Sequence, residues 1–177
     1  MIDKKIFSFI DIETTGFNVG YHDVIEVACV LVDPSKNYEI IDELELKIKP
    51  ERIENADPQA LRINGYNEAE WMFAYTLEQA MKMLAEKVEN TVMVAHNITF
   101  DWTFLDHAFR ATGIEPKFYR KLDSYSIAYA KFNNEPDINK FSLKALAEYY
   151  GLTNEKAHTA LADTRVTVEI FRELMKR

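Results

Sequence analysis

The sequence has little of what marks secreted or membrane-spanning proteins. Its 177 residues include a single cysteine, so no intrachain disulfide can form, and we expect Cys29 to be a thiol in the core of the sheet. The longest apolar run, Val24 to Val32, is interrupted by Glu26 and is far too short to span a bilayer. The run from Ile6 to Ile10 is too short for the apolar part of a signal peptide. We therefore predict an intracellular, cytoplasmic protein with no membrane partner.

Glycine and proline are also scarce. There are five of each, scattered at the predicted ends of helices and strands, and the sequence has no repeat, no low-complexity tract and no flexible linker. A chain of this length can bury roughly two-thirds of its unfolded surface, and 47% hydrophobic residues supply the core. We predict a single domain over residues 1–177.

An excess of positive charge is missing as well. The chain has 29 acidic and 21 basic residues and a formal net charge of −8, whereas proteins that bind nucleic acids commonly carry a basic face. This argument loses weight if several of the acids are metal ligands, because a bound cation cancels their charge. Net charge therefore does not decide between a nucleic acid and a protein as the partner.

Hydrophobic patterns predict an α/β fold built on a mixed five-stranded sheet. Residues 5–12, 24–32 and 38–48 are predicted strands joined by short turns, which makes them an antiparallel meander. A buried fourth strand covers 91–95, and a fifth is predicted near 118–122. Caps and apolar periodicity predict helices after Asp57, after Thr76, from Thr99 to Gly113, over 124–132, from Ser142 to Gly151 and from Thr159 onward. Their alternation with the later strands places helices on both faces of the sheet.

Two acids stand in the first predicted strand. Asp11 and Glu13 are two residues apart, and side chains at such positions project from the same face of a strand. Two carboxylates side by side in an apolar strand repel each other and are costly to bury without a positive partner. A divalent metal ion is the partner that this pattern favours.

Two further acids and a histidine come from later segments. Asp101 falls in the first turn of the helix that follows the fourth strand. His158 and Asp163 are five residues apart, a rotation of about 500° in a helix, so they would share a helical face poorly. We therefore expect His158 in the loop that starts at Thr153 and Asp163 in the first turns of the last helix.

These residues are the groups that two-metal hydrolysis of a phosphodiester requires. In such sites two ions lie about 3.5–4 Å apart between acids that come from different elements. Carboxylate oxygens favour two Mg²⁺ or Mn²⁺ ions, and the chain has no Cys or His cluster for structural zinc. Because an unperturbed imidazole titrates at about pH 6.5, His158 is the candidate general base.

At this point the sequence resembles the DEDDh (DnaQ-like) family of 3′–5′ exonucleases. Three motifs carry the resemblance, in the family's order and over nearly the whole chain: Asp11-Ile12-Glu13-Thr14-Thr15-Gly16, Ala95-His96-Asn97 with Phe100-Asp101, and His158 five residues before Asp163. The resemblance implies a ribonuclease H-like fold, two bound metal ions and stepwise release of nucleoside 5′-monophosphates from the 3′ end of single-stranded DNA or RNA.

The resemblance also implies roles for individual residues. The metal ligands are Asp11, Glu13, Asp101 and Asp163, with His158 as the general base. The other implied contacts are to substrate: Phe17 wedges against the terminal base, the backbone of Thr14 and Thr15 lies near the 3′-hydroxyl, Asn97 lies near the site, and the loop Ile63-Asn64-Gly65-Tyr66 approaches the terminal nucleotides.

Several alternatives remain open at this stage. A ribonuclease H-type endonuclease shares the fold and the carboxylates, and a non-catalytic module docked on a polymerase would suit the acidic surface. A polymerase or a second copy of the chain remains open as a partner, although a chain that begins at Met1 without an extension favours a stand-alone protein. Glu26 lies either at an exposed edge or bonded near the site. The run 117–121 mixes cations with aromatics, which indicates either binding of single-stranded nucleic acid or a half-exposed β-strand.

Overall fold

In the computed structural model, which describes residues 5–135, 138–153 and 159–176, five strands form one mixed sheet. They are β1 (Phe7–Thr14), β2 (Val24–Asp33), β3 (Glu39–Lys47), β4 (Val92–Ala95) and β5 (Arg120–Asp123), in the order β3-β2-β1-β4-β5. The first three strands pair antiparallel, whereas β4 and β5 run parallel to β1. The predicted meander and the predicted mixed sheet are both confirmed.

The helices begin at the caps that the sequence marks. They are α1 (Pro58–Asn64), α2 (Leu77–Lys87), α3 (Ile98–Thr112), α4 (Ser124–Phe132), α5 (Leu143–Tyr149) and α6 (Ala160–Met175), with single 3₁₀ turns at Pro34–Lys36 and Ile53–Asn55. The predicted caps of α1, α2 and α5 are present, and α2 starts with a complete capping box between Thr76 and Gln79. All six helices were predicted.

The strand boundaries differ from the prediction by one or two residues, and pairing explains the two differences described next. β1 continues two residues past Ile12, because β2 pairs with it as far as Thr14, so Glu13 lies inside the strand. β5 begins at Arg120 rather than Phe118, because pairing with β4 starts where Val92 meets Arg120. Phe118 is used differently, since its ring packs edge-on against Trp102 at 5.8 Å.

Apolar side chains cover both faces of the sheet, and the alternation along β1 separates the two cores. Ile10 and Ile12 belong to the core that α2 and α3 complete. Phe9 belongs to the opposite core, where its ring lies 5.2 Å from that of Phe171 on α6. Asp11 and Glu13 follow Phe9 at intervals of two and therefore lie on the α6 side.

Two expectations about apolar segments can be compared with the structure. Cys29 is fully buried in the core beside α2 and α3, and burial raises the pKa of its thiol to about 12, so the predicted core thiol is confirmed. Across the described ranges, no helix has both the length and the apolar character needed to cross a bilayer.

Candidate active site

Strand β1 sets Asp11 and Glu13 side by side. Each faces a residue of β2, Asp11 opposite the small side chain of Ala28 and Glu13 opposite Glu26. Pairing shifts by one residue directly after Glu13, where the chain leaves the sheet for the turn at Thr14. The end of the strand thus presents two half-buried carboxylates toward α6.

Helix α6 brings Asp163 to these two acids. The Oγ1 of Thr159 caps the helix by accepting from the amide of Ala162, and Asp163 lies in the first turn. One carboxylate oxygen from each of Asp11, Glu13 and Asp163 lies within 4.8 Å of the others, which is a spacing suited to a shared cation. The structure therefore brings together three of the four predicted ligands from two elements.

Asp101 completes the set from the third element. It lies in the first turn of α3 and is 3% exposed, and no hydrogen-bond partner is found for its Oδ1 among the described residues. Asp101 is also the neighbouring charge that most strongly raises the pKa of Asp11, so these two carboxyl groups adjoin. A buried carboxylate oxygen without a partner is what an uncomplexed metal ligand looks like.

Burial and repulsion between carboxylates raise the pKa values of Asp11, Glu13 and Asp101. The pKa of Asp11 lies well above its ordinary range, first because the group is buried and then because Asp101, Glu13 and Asp163 surround it. Burial, followed by repulsion from Asp163, raises the pKa of Glu13 to about 8. Burial likewise raises the pKa of Asp101. Such a cluster takes up either protons or cations, and its hard oxygen donors fit Mg²⁺ or Mn²⁺.

Glu26, whose place the sequence left open, is bonded near the site. It is 3% exposed, and its Oε1 accepts a hydrogen bond of 2.8 Å from the amide of Ala160, the first residue of α6. Burial raises its pKa, and the Ala160 bond opposes that shift. A lone acid within an apolar strand was the only signal for this contact in the sequence.

The turn after β1 is fixed by its own hydrogen bonds. Thr15 exchanges two bonds with Asp23, and the Oγ1 of Thr14 donates to the carbonyl of Gly16 at 2.7 Å. Gly16 has a φ of +155°, and a Cβ there would come within 2.5 Å of the His22 ring, so only glycine fits without a shift. Thr14 and Thr15 are both buried, so they form part of the support beneath the turn.

Phe17 and Ile63 are the exposed apolar side chains beside this turn. Phe17 is 74% exposed, and its ring centroid lies 6.0 Å from that of Phe100. Ile63 is also exposed, at the end of α1, and the next residue, Asn64, is buried and donates from Nδ2 to the carbonyl of Thr14 at 3.0 Å. The sequence indicated this loop, but it gave no signal for the Asn64 bond.

Two predicted site residues remain, Asn97 and His158, and the structure describes only Asn97. Asn97 is exposed at the start of α3 with a φ of +67°, and its amide donates to Oδ1 of Asp123 at 2.9 Å. Asp123 also caps α4. His158 lies outside the described residues, so its role as a base stays a prediction.

The cationic and aromatic run at 117–121 lies away from the acids. Arg120 is level with Val92 of β4, which is level with Phe7, four residues before Asp11 on β1. The Nζ of Lys121 lies 3.7 Å from the Trp102 ring centroid, so its cation already has an aromatic partner within the chain. This run is therefore no part of the acidic site.

Comparisons with known proteins agree with the fold and with the motifs. The family model of the RNase T exonucleases matches residues 8–171. The PolC-type DNA polymerase III of Staphylococcus aureus is 29% identical over 167 residues, which cover 94% of this chain and 11% of the polymerase. The chain thus spans about a tenth of that relative.

Solved structures give the same result for the fold. Escherichia coli exonuclease I in complex with a dT13 oligonucleotide superposes with a TM-score of 0.84 at 20% identity, over 98% of this chain and 41% of that one. A zinc-bound form of the exonuclease I complex with single-stranded DNA gives 0.84 at 20% identity, over 96% and 40%. The ribonuclease H-like fold is confirmed.

Proposed function

Since the chain belongs to the exonuclease family of RNase T, as its DEDDh motifs predicted, we propose that it is a metal-dependent 3′–5′ exonuclease of single-stranded nucleic acid. The observation that carries this proposal is the convergence of Asp11, Glu13 and Asp163 within 4.8 Å, with Asp101 buried beside Asp11. These are the four acids that the family motifs name, and they arrive from β1, α3 and α6. We also propose that residues 1–177 form one exonuclease domain.

The four acids would hold two divalent ions, Mg²⁺ or Mn²⁺. The unpartnered Oδ1 of Asp101 and the raised pKa values of Asp11 and Glu13 support this, because both describe carboxylates that lack their counter-charge. When bound, such ions stabilise the negative charge that develops on the attacking, phosphoryl and leaving oxygens. The protein contributes the placement of these four carboxylates, which are held by strand β1 and by helices α3 and α6.

His158 is the proposed general base and takes the proton of the attacking water. Its support is its position in the chain, two residues before Ala160, which Glu26 holds beside the acids. The water oxygen bonds to phosphorus while the bond from phosphorus to the 3′-oxygen of the penultimate nucleotide breaks. The terminal nucleotide then leaves with its 5′-phosphate.

The turn that follows β1 would hold the terminal nucleotide. Phe17 is exposed on a turn whose backbone is fixed on both sides, so it can wedge against a base without losing much side-chain freedom. Ile63 offers a second apolar contact, and the backbone of Thr14 and Thr15 lies next to Glu13. Asn97, at the start of α3, is the further proposed substrate contact.

Single-stranded DNA is the first substrate to test. The exonuclease I structures hold DNA oligonucleotides, and the PolC relative is a DNA polymerase. RNA is the second substrate to test, because one contact to a 2′-hydroxyl can decide the preference between RNA and DNA. The PolC similarity also makes a replicative polymerase the proposed protein partner, ahead of a second copy of this chain.

One gel tests the proposal. DNA and RNA oligonucleotides of the same sequence, labelled at the 5′ end, are incubated with Mg²⁺, Mn²⁺ or EDTA. The expected result is a ladder that shortens from the 3′ end with either metal and not with EDTA. A covalently closed single-stranded circle must survive, because cutting it would indicate the endonuclease alternative. Digestion of no substrate with either metal would favour the non-catalytic docking module.

A further inference from the structure

Glu26 occupies a place where a second acid is unfavourable. It lies directly across the β1–β2 pair from Glu13, so both side chains project from the same face. Like charges in directly opposed positions destabilise a sheet, and Glu26 is 3% exposed, so water screens this pair poorly. A residue in this position needs a contact that offsets the repulsion.

That contact is the N-terminus of α6. The amide of Ala160, the first residue of the helix, donates to Oε1 of Glu26 at 2.8 Å. The first amides of a helix have no partner within the helix, and Thr159 serves another of them, that of Ala162. The sheet therefore supplies the carboxylate that caps the first turn, and the helix dipole favours a negative group there.

The bond has a consequence for the acidic site. Asp163 is three residues after Ala160 in the same helical turn, and its amide donates to the carbonyl of Thr159 at 3.1 Å. Holding Ala160 against β2 thus fixes the approach of Asp163 to Glu13 on the neighbouring strand. We propose that Glu26 is a positioning residue that holds the first turn of α6 so that Asp163 completes the acidic site.

A role as a further ligand fits the geometry less well. Among the described acids, the carboxylate oxygens that approach within 4.8 Å of one another come from Asp11, Glu13 and Asp163, so Glu26 and Asp101 both lie outside this group. Their hydrogen bonds distinguish them, because no partner is found for Oδ1 of Asp101 among the described residues, whereas Glu26 has one. One of its oxygens is engaged by Ala160. Lys47 of β3 faces Glu26 from the other side, and its ammonium is bonded to Glu70 at 2.8 Å.

Two substitutions of Glu26 separate positioning from ligation. Glu26→Gln keeps the oxygen that accepts from Ala160 but loses the charge, whereas Glu26→Met keeps the length of the side chain and loses the acceptor. Glu39→Gln, an exposed position at the start of β3, is the control for the change in charge. Each variant is compared with the wild type by hydrogen exchange of the Ala160 amide, by calorimetric Mn²⁺ affinity and by kcat and KM on single-stranded DNA.

We expect Glu26→Gln and Glu39→Gln to behave like the wild type in these three measurements. In Glu26→Met the Ala160 amide should lose its protection, and Mn²⁺ affinity and kcat should each fall about 10–100-fold, the usual loss when a residue that orients a metal ligand is removed. KM should change little, because the substrate turn is untouched.

A second variant reaches the same bond from the other side. Ala160→Pro removes the amide donor at the first position of the helix, where proline is well tolerated, and leaves Glu26 in place. Its effect on Mn²⁺ affinity should not add to that of Glu26→Met, because both break one bond. If one of the two variants fails to fold, the Mn²⁺ affinity of the other still tests the inference, because each breaks the bond by itself.

Three outcomes would overturn the inference: Mn²⁺ affinity as low in Glu26→Gln as in Glu26→Met, wild-type affinity in Glu26→Met, or full additivity with Ala160→Pro. The inference rests on the proposed function only in one respect, which is that Asp163 is taken to be a metal ligand of an exonuclease. If the wild type digests nothing, the exonuclease proposal fails, while amide exchange and Mn²⁺ affinity still decide the role of Glu26.

Discussion

Replacing Glu13 by glutamine should stabilise the metal-free protein while it damages the metal site. Burial and repulsion from Asp163 raise the pKa of Glu13 from its ordinary value of 4.5 to about 8. The folded state therefore binds more protons than the unfolded state between these values, and folding stability falls as the pH rises through this window. Glutamine has the same shape and no charge, so the variant escapes this loss.

The size of the effect follows from the pKa shift. Between pH 4.5 and pH 7 the linkage amounts to about 3 kcal/mol, since one pKa unit corresponds to about 1.4 kcal/mol. For a domain of this size each kcal/mol moves the melting temperature by roughly 2–4 °C, so Glu13→Gln should melt about 6–12 °C above the wild type at pH 7 in EDTA. At pH 5 the difference should fall to about 0.8 kcal/mol, because Glu13 is then protonated in the folded state and the pH lies near its unfolded pKa.

Thermal unfolding followed by circular dichroism from pH 5 to pH 8 in EDTA measures this, with Glu45→Gln as the control for loss of an exposed acid. Millimolar Mn²⁺ should reverse the order of the two melting temperatures. An ion that binds only the folded state stabilises the wild type, whereas the variant has lost one of the carboxylates that bind the ion. A Glu13→Gln protein no more stable than the wild type at pH 7 in EDTA would refute the electrostatic reasoning.

Three further predictions concern other residues of the site. Asp101→Asn and Asp163→Ala should each abolish digestion with an unchanged circular dichroism spectrum, and wild-type activity in either would contradict their role. His158→Ala should lower kcat about 10²–10⁴-fold and remove the ionisation of an imidazole from the pH–rate profile, which single-turnover kinetics at several pH values would reveal. Asn64→Leu should cost about 1–3 kcal/mol in urea unfolding, because the buried carbonyl of Thr14 loses its donor; an unchanged midpoint would argue against that bond.

Much of the fold could be predicted because local signals agree with it. The capping box at Thr76, the proline after Asp57 and the glycine at 113 each mark a helix end by a local hydrogen-bonding or backbone requirement, and the structure has helix ends there. The end of β1 was placed too early, because strand length depends on pairing with β2. The partner strand sets where the pairing ends, and the local sequence of β1 does not encode that partner.

The candidate site divides in a similar way. Spacing placed Asp11 and Glu13 on one face of a strand and Asp101 and Asp163 in the first turns of helices, whereas the family resemblance named the four acids as one set of ligands. The partner of Glu26 was not predictable, because Ala160 is 134 residues away and donates through its backbone. The Asn64 bond to Thr14 spans 50 residues and involves a backbone acceptor too. A backbone partner carries no side-chain signature in a sequence.

The acidity that first argued against a polyanionic substrate is better explained by acids that bind divalent metal ions. The formal net charge is −8, and two divalent ions would cancel half of it at the place where a phosphodiester must approach. In their ionised form Asp11 and Glu13 would repel that phosphate without the ions, and burial, followed by repulsion from neighbouring carboxylates, raises the pKa of each. Substrate affinity should therefore depend on metal occupancy before it depends on any basic surface, and the gain in affinity for single-stranded DNA on adding Mn²⁺ should be smaller in Asp163→Ala than in the wild type.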